Sequence, residues 1–257
     1  TSDVDMEEAS DGNKRRVWTK EASECEGNGC YECGREMHEH LVRTYGTRRD
    51  VWLEYVKYEG SVYAAKGGAK GGAKGGAKSG GGAEGGADGP SEAETDASRT
   101  SLVLRRAVDA RPQDVLLWLM AAKEAWKKRN DVDGARSLLE EAFGKNPNNE
   151  ELLLAGAKIE SEEGEYDRAR ILLKTARSTS PSLRVWMKSA TIERLDGDLI
   201  SAMKLLREGR TKYSSGAKLW LMSVQTLLNF NNNNALTSKE KSTKLATLGY
   251  IPMSVRS

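Results

Sequence analysis

Tryptophan spacing constrains this chain more than any other feature of it. Trp18 and Trp52 lie 34 residues apart, Trp186 and Trp220 again 34, and Trp118 and Trp186 68, twice that interval, with Leu153 near the midpoint. The remaining gap, Trp52 to Trp118, is 66 residues and contains a stretch of different composition. Twelve of the 26 glycines fall between Ala64 and Ala97, in KGGA units carrying Lys66, Lys70, Lys74 and Lys78, followed by Glu84, Asp88, Glu92, Glu94 and Asp96. Glycine is costly to order and has no side chain to bury, so residues 64–97 are predicted to be a long disordered insertion. Without it, a period near 34 runs through the chain, as in a repeat architecture.

Each period reads as two helices. Four residues after each Trp slot stand Ala22, Val56, Ala122, Ala157, Ala190 and Val224, so the slot and the next turn form one apolar face with room for a neighbouring helix. The second helix repeats as Ala135, Leu138, Leu139, Ala142, then Ala169, Leu172, Leu173, Ala176, then Ala202, Leu205, Leu206, Gly209. Thr100, Val103, Leu104 and Ala107 follow the insertion in the same register, and Gly34, Met37, His38 and Leu41 are a weaker first version. Offsets of 0, 3, 4 and 7 make an apolar helical stripe. Asn130, Gly164 and Gly197 fall between the two helices of their units, where positive φ ends a helix. Pro112, Pro147 and Pro181 precede the next Trp slot, where proline stops one helix and starts another. A hairpin of this size cannot enclose its own stripe, so units must stack and share a core. After Asn229 no such stripe occurs, which leaves the last unit with an uncovered apolar face.

Forty Lys and Arg against 38 Asp and Glu give a net charge of +2, too little to draw in nucleic acid or an anionic membrane by total charge. No apolar run approaches the roughly 20 residues of a membrane span, so the chain reads as soluble. It opens on Thr1 and an acidic stretch without a secretory leader, and reads as a piece of a longer protein. Its three cysteines, an odd number clustered in 25–33, do not make a disulfide framework and suggest a reducing compartment.

Paired helices on this period look like tetratricopeptide repeats. Seven residues after the Trp slot, however, where those repeats place an aromatic, stand Glu59, Glu160 and Glu193. Trp followed by an acid at that spacing resembles the half-a-TPR (HAT) repeat of RNA-processing proteins. Leu117 to Glu193, beginning LWLMAAKEAWKKRNDVDGARSLLEEAF, closely resembles the repeat array of the pre-mRNA-processing factor six family, the spliceosomal tri-snRNP bridging proteins. The resemblance extends from about Lys14 to about Gln225. It implies an all-α fold, an α-α superhelix or TPR/HAT-like solenoid. The implied role is a nuclear, non-enzymatic scaffold for splicing, with tri-snRNP proteins as partners, at most weak or indirect RNA contact, and no small-molecule substrate, cofactor or membrane. The domains expected are an acidic disordered segment over 1–13, repeats over 14–63, the insertion at 64–97, repeats over 98–229 and an irregular tail over 230–257. The rivals are a TPR-type peptide-binding adaptor, whose repeated basic clamp is not seen here, and a HAT-repeat protein of mRNA 3′-end or rRNA processing.

One cluster invites a chemical reading. Cys25, Cys30, Cys33 and His38 follow C-x4-C-x2-C-x4-H, and three thiolates with an imidazole suit tetrahedral zinc. The repeat register favours a loop and a helix start instead, since His38 takes a stripe position; neither zinc nor a redox role for Cys30 and Cys33 is assigned. Lys127, Lys128 and Arg129, with Arg105 and Arg106, are the basic residues nearest to a phosphate-binding patch, but acids crowd them and a solvated face is expected. No catalytic, cofactor-binding or metal-binding residue is assigned, and the KGGA run follows no strand, so it is not a phosphate loop.

Overall fold

The computed structural model of the chain describes residues 2–65, 92–232 and 238–247, with side chains over 12–65, 99–232 and 239–247. Among the described residues the fold is all-α. The helices are α1 (Ser2–Gly27), α2 (Tyr31–Tyr45), α3 (Arg49–Ala65), α4 (Glu92–Ala110), α5 (Val115–Lys127) and α6 (Val132–Lys145), then α7 (Glu150–Glu162), α8 (Tyr166–Thr179), α9 (Leu183–Leu195), α10 (Leu199–Lys212), α11 (Ala217–Asn231) and α12 (Ser238–Thr247). No described helix is long and apolar enough to cross a membrane. The chain divides into two compact bodies, Thr1–Leu138 and Leu139–Ser257.

In the first body α1 pairs with α2 and α3 with α4, while α2 packs on α3 and α4 on α5. In the second, α7 pairs with α8 and α9 with α10; α8 packs on α9, α10 on α11, and the first helices α7, α9 and α11 touch in succession. Short connections between packed neighbours make these helical hairpins, as the repeat pattern predicts. Asn130, Gly164 and Gly197 all have positive φ, between 54° and 88°, and end α5, α7 and α9. Asp114, Asn149, Ser182 and Asp198 accept backbone N–H bonds at the starts of α5, α7, α9 and α10. Each such cap contributes about 1 kcal/mol.

The stripes are buried unevenly. Stripe positions 0, 4 and 7 of α6, α8 and α10 are inside, whereas Leu138, Leu172 and Leu205 at position 3 are only half-buried. Trp52, Trp118, Trp186 and Leu153 are core. Trp18 is half-buried and stacks on His40 with ring centroids 4.3 Å apart. The Trp52 and Trp118 indole N–H groups donate to the carbonyls six residues upstream, Gly46 at 2.7 Å and Pro112 at 2.9 Å, and tie each first helix to the turn before it.

Three expected boundaries change. The acidic segment 1–13 is helical from Ser2, because Glu, Met and Ala favour helix and Asp3 and Asp5 suit the positive end of the helix dipole. Helix α4 begins at Glu92, inside the expected insertion, and α3 runs to Ala65; the disorder expected of 66–91 falls outside the described residues. The tail holds α12, whose Leu245 packs against Met203 and Phe230, so one leucine anchors a helix without a repeating stripe. Residues 233–237 and 248–257 also lie outside the described residues.

Candidate protein-docking site

The acidic slot seven residues after the Trp is the feature around which each body builds its polar interior. In the first body Glu59 on α3 is buried, and so is the guanidinium of Arg35 on α2. Arg35 Nε donates to both Glu59 carboxylate oxygens, at 2.9 and 3.2 Å, Nη2 to one of them at 3.1 Å, and Nη1 to Glu32 one turn back at 2.6 Å. Burial works against the Arg35 charge, but hydrogen bonding to Glu59 and the charges of Glu59 and Glu32 outweigh it and hold its pKa above the ordinary value. In the second body Arg170 on α8 repeats the arrangement. Its Nε and Nη2 donate to Glu193 on α9 at 2.9 to 3.2 Å, Nη1 donates to Asp167 at 2.7 Å, and Nη2 also binds Asp196. The hydrogen bonds it donates to Glu193 and Asp196 raise the Arg170 pKa. Arg136 occupies the same register on α6, bonded to Asp133 at 3.0 Å.

The charges are absent at α10 and α11, as they are at α4 and α5, where Ser101 and Ala125 take the arginine and glutamate positions. Counted in the same register, Met203 on α10 stands for the arginine, Ile200 for the acid one turn back and Leu227 on α11 for the slot glutamate, and all three pack in one apolar cluster. The glutamate register alone does not reveal the arginine, which lies on the preceding helix. Its signal is an arginine one residue after the stripe start, with an acid three residues earlier, in three of the helices, at Arg35, Arg136 and Arg170.

Beside the Arg170 clasp, α8 and α9 enclose a cleft of about 200 Å³ lined by Ile171, Leu173, Lys174, Arg177, Ser189 and Ile192, with Arg170 and Glu193 on its wall. Ile171 and Lys174 are exposed at its mouth. Arg177 donates to Ser189 Oγ at 2.6 Å and lies 5.6 Å from the Trp186 ring centroid; burial lowers its pKa. Apolar walls with cationic Lys174 and Arg177 suit an acidic side chain of a protein segment.

The cysteine cluster is arranged differently from the metal reading. Cys30 and Cys33 are joined by a disulfide at the start of α2, and Cys25 is free. His38 is buried, 5.3 Å from the Tyr55 ring and 4.8 Å from Tyr58, and burial pushes its pKa down to about 4. Two sulfurs of the four-residue set are therefore bonded to each other and its imidazole is enclosed by rings. Among the described residues no group of three His, Cys, Asp or Glu is placed to hold a metal ion. The neighbouring Gly34 is required by packing, since a Cβ there would lie 2.2 Å from the Tyr58 hydroxyl, which donates to Tyr31 O.

The basic residues weighed for phosphate binding all have partners within the first body. Arg106 grips Glu39 at 2.5 and 2.9 Å, Arg105 pairs with Asp109, Lys128 with Glu124, and Arg129 donates to Ser101, while Lys127 Nζ sits 3.6 Å over the Trp126 ring.

Residues 128–192 match the tetratricopeptide repeat family. No curated protein matches the chain. Among solved structures, a thermophilic tetratricopeptide protein of Thermus thermophilus is 12% identical, with 83% of this chain and 99% of that one covered and a TM-score of 0.47. A tetratricopeptide protein of Parabacteroides merdae is 9% identical, with 91% and 80% covered and a TM-score of 0.49. YrrB, described as a tetratricopeptide protein with an unusual peptide-binding site, is 12% identical, with 85% and 96% covered and a TM-score of 0.45.

Proposed function

We propose that the chain is a non-enzymatic scaffold of HAT repeats that acts in the nucleus in pre-mRNA splicing, holding proteins of the spliceosomal tri-snRNP together. The observation that carries this reading is the slot seven residues after the Trp. A tetratricopeptide repeat fills it with an aromatic; here Glu59 and Glu193 occupy it, each buried and gripped by an arginine from the preceding helix. The acid is therefore part of the repeat's packing, as the HAT resemblance of Leu117 to Glu193 implies. Protein is the favoured partner because the residues nearest to a phosphate patch are occupied by internal contacts, while the cleft beside Arg170 offers an apolar and cationic recess to an acidic protein segment. A pulldown from nuclear extract after nuclease treatment tests it. Recovery of tri-snRNP proteins is expected. Recovery of chaperones alone would make the chain a peptide-binding adaptor, recovery of 3′-end or rRNA-processing factors would move it to another RNA-processing complex, and loss of all partners with the RNA would make it an RNA binder.

A further inference from the structure

Helix α11 presents an apolar stripe that nothing in the described structure covers. Trp220 is 50% exposed, Leu221 59%, Val224 51% and Leu228 55%, and at spacings of one, four and eight residues they share one helix face. The same two slots in the neighbouring first helices are inside: Leu153 and Ala157 on α7, Trp186 and Ala190 on α9. The covering element in each case is the following helix. Ala169, Leu173 and Ala176 of α8 close over Leu153 and Ala157, and Leu206 of α10 closes over Trp186 and Ala190. Small residues let it come near; a Cβ on Gly209 would stand 3.2 Å from the Trp186 Cβ. Helix α12 does not take this place on α11, since its Leu245 joins Met203 and Phe230 instead.

The rim of the uncovered face is cationic. From Gly209 to Lys239 the chain has no Asp or Glu. The Arg210 guanidinium lies 4.3 Å from the Trp220 ring centroid, and Lys218, in the first turn of α11, is exposed one turn before Leu221. A second copy of α11 would bring like charges together. We infer that this face binds an amphipathic helix of a partner protein, with a small–Leu–small stripe at offsets 0, 4 and 7 and acidic residues flanking it. The apolar stripe supplies area and the acidic flanks select the partner and its direction. This inference is independent of which complex the chain serves.

The probe is a synthetic helical peptide with Ala, Leu, Leu and Ala at offsets 0, 3, 4 and 7 and Glu on both flanks, titrated by calorimetry against the whole chain. Controls are a scrambled peptide of equal composition and one with Lys in place of each Glu. Saturable binding of the Glu peptide is expected. V224E should weaken it at least about tenfold, since a buried apolar contact becomes a like charge, and the Lys peptide should bind at least about tenfold less well. Both R210E and K218E should lessen the preference for Glu over Lys. Because Val224 and Lys218 are exposed, circular dichroism of the variants should match the parent. Equal binding of the scrambled peptide, or no binding of the Glu peptide, would overturn the inference. So would a concentration-dependent dimer in sedimentation that V224E disperses, because the occupant would then be a second copy.

Discussion

Two contacts in this molecule solve the same packing problem with opposite chemistry. Between α2 and α3, Arg35 and Glu59 hold two charges out of water; between α10 and α11 the equivalent positions are Met203 and Leu227, in an apolar cluster with Ile200. The slot therefore demands volume and complementarity rather than charge. A buried ion pair gains Coulomb energy but gives up hydration, so an apolar set of similar size serves about as well, whereas half of a pair does not. What the ionic version adds is geometry: a planar guanidinium bonded to a carboxylate and to an acid one turn back fixes how the two helices meet.

The largest effect expected from this comparison is on removing one partner. Glu59→Ala strands the buried Arg35, and chemical denaturation should register a loss of about 3–5 kcal/mol. L227A, which removes only apolar atoms from a half-buried site, should cost less. The stripe gives a second contrast. Leu173→Ala should cost about 2–5 kcal/mol and Leu172→Ala clearly less, since Leu173 is core and Leu172 half-buried; equal midpoints would mean the helix is rotated from the packing described.

The stripe of α2 differs from the rest in having His38 where α4, α6, α8 and α10 have leucine. Its folded pKa of about 4 lies below the ordinary 6.5, so the folded state binds fewer protons than the unfolded one between those values. Stability is complete above about pH 6.5 and falls by about 1.4 kcal/mol per unit as pH drops towards 4. Glu32 and Glu39, which Arg35 and Arg106 help keep ionised, start from 4.5 and are held lower, so their loss begins only at the acid end of that window and continues below it. Denaturation of the parent and H38L at pH 7 and pH 5 should show the decline in the parent and a nearly flat response in the variant.

Much of this architecture can be read from local pattern. The Trp slots at 52, 118 and 186, stripe positions 0, 4 and 7 of α6, α8 and α10 and the positive-φ residues Asn130, Gly164 and Gly197 are short-range signals, and each is where the pattern puts it. The Arg35–Glu59 pair is harder, because its members are 24 residues apart and each alone looks like a solvated charge. The acidic start of α1 and the whole of α12 carry no repeating stripe: Leu245 packs as a single contact, and the backbone of the acidic start needs only propensity. The disulfide of Cys30 and Cys33 joins a pair one helical turn apart, which the total number of cysteines does not reveal.

A double-mutant cycle on Arg35 and Glu59 tests most directly whether the slot needs fit rather than charge. With R35M and E59L made singly and together, each single variant should lose several kcal/mol, and the double should return to within about 1–2 kcal/mol of the parent, imitating Met203 and Leu227. A double variant destabilised by the sum of the two singles would contradict the account.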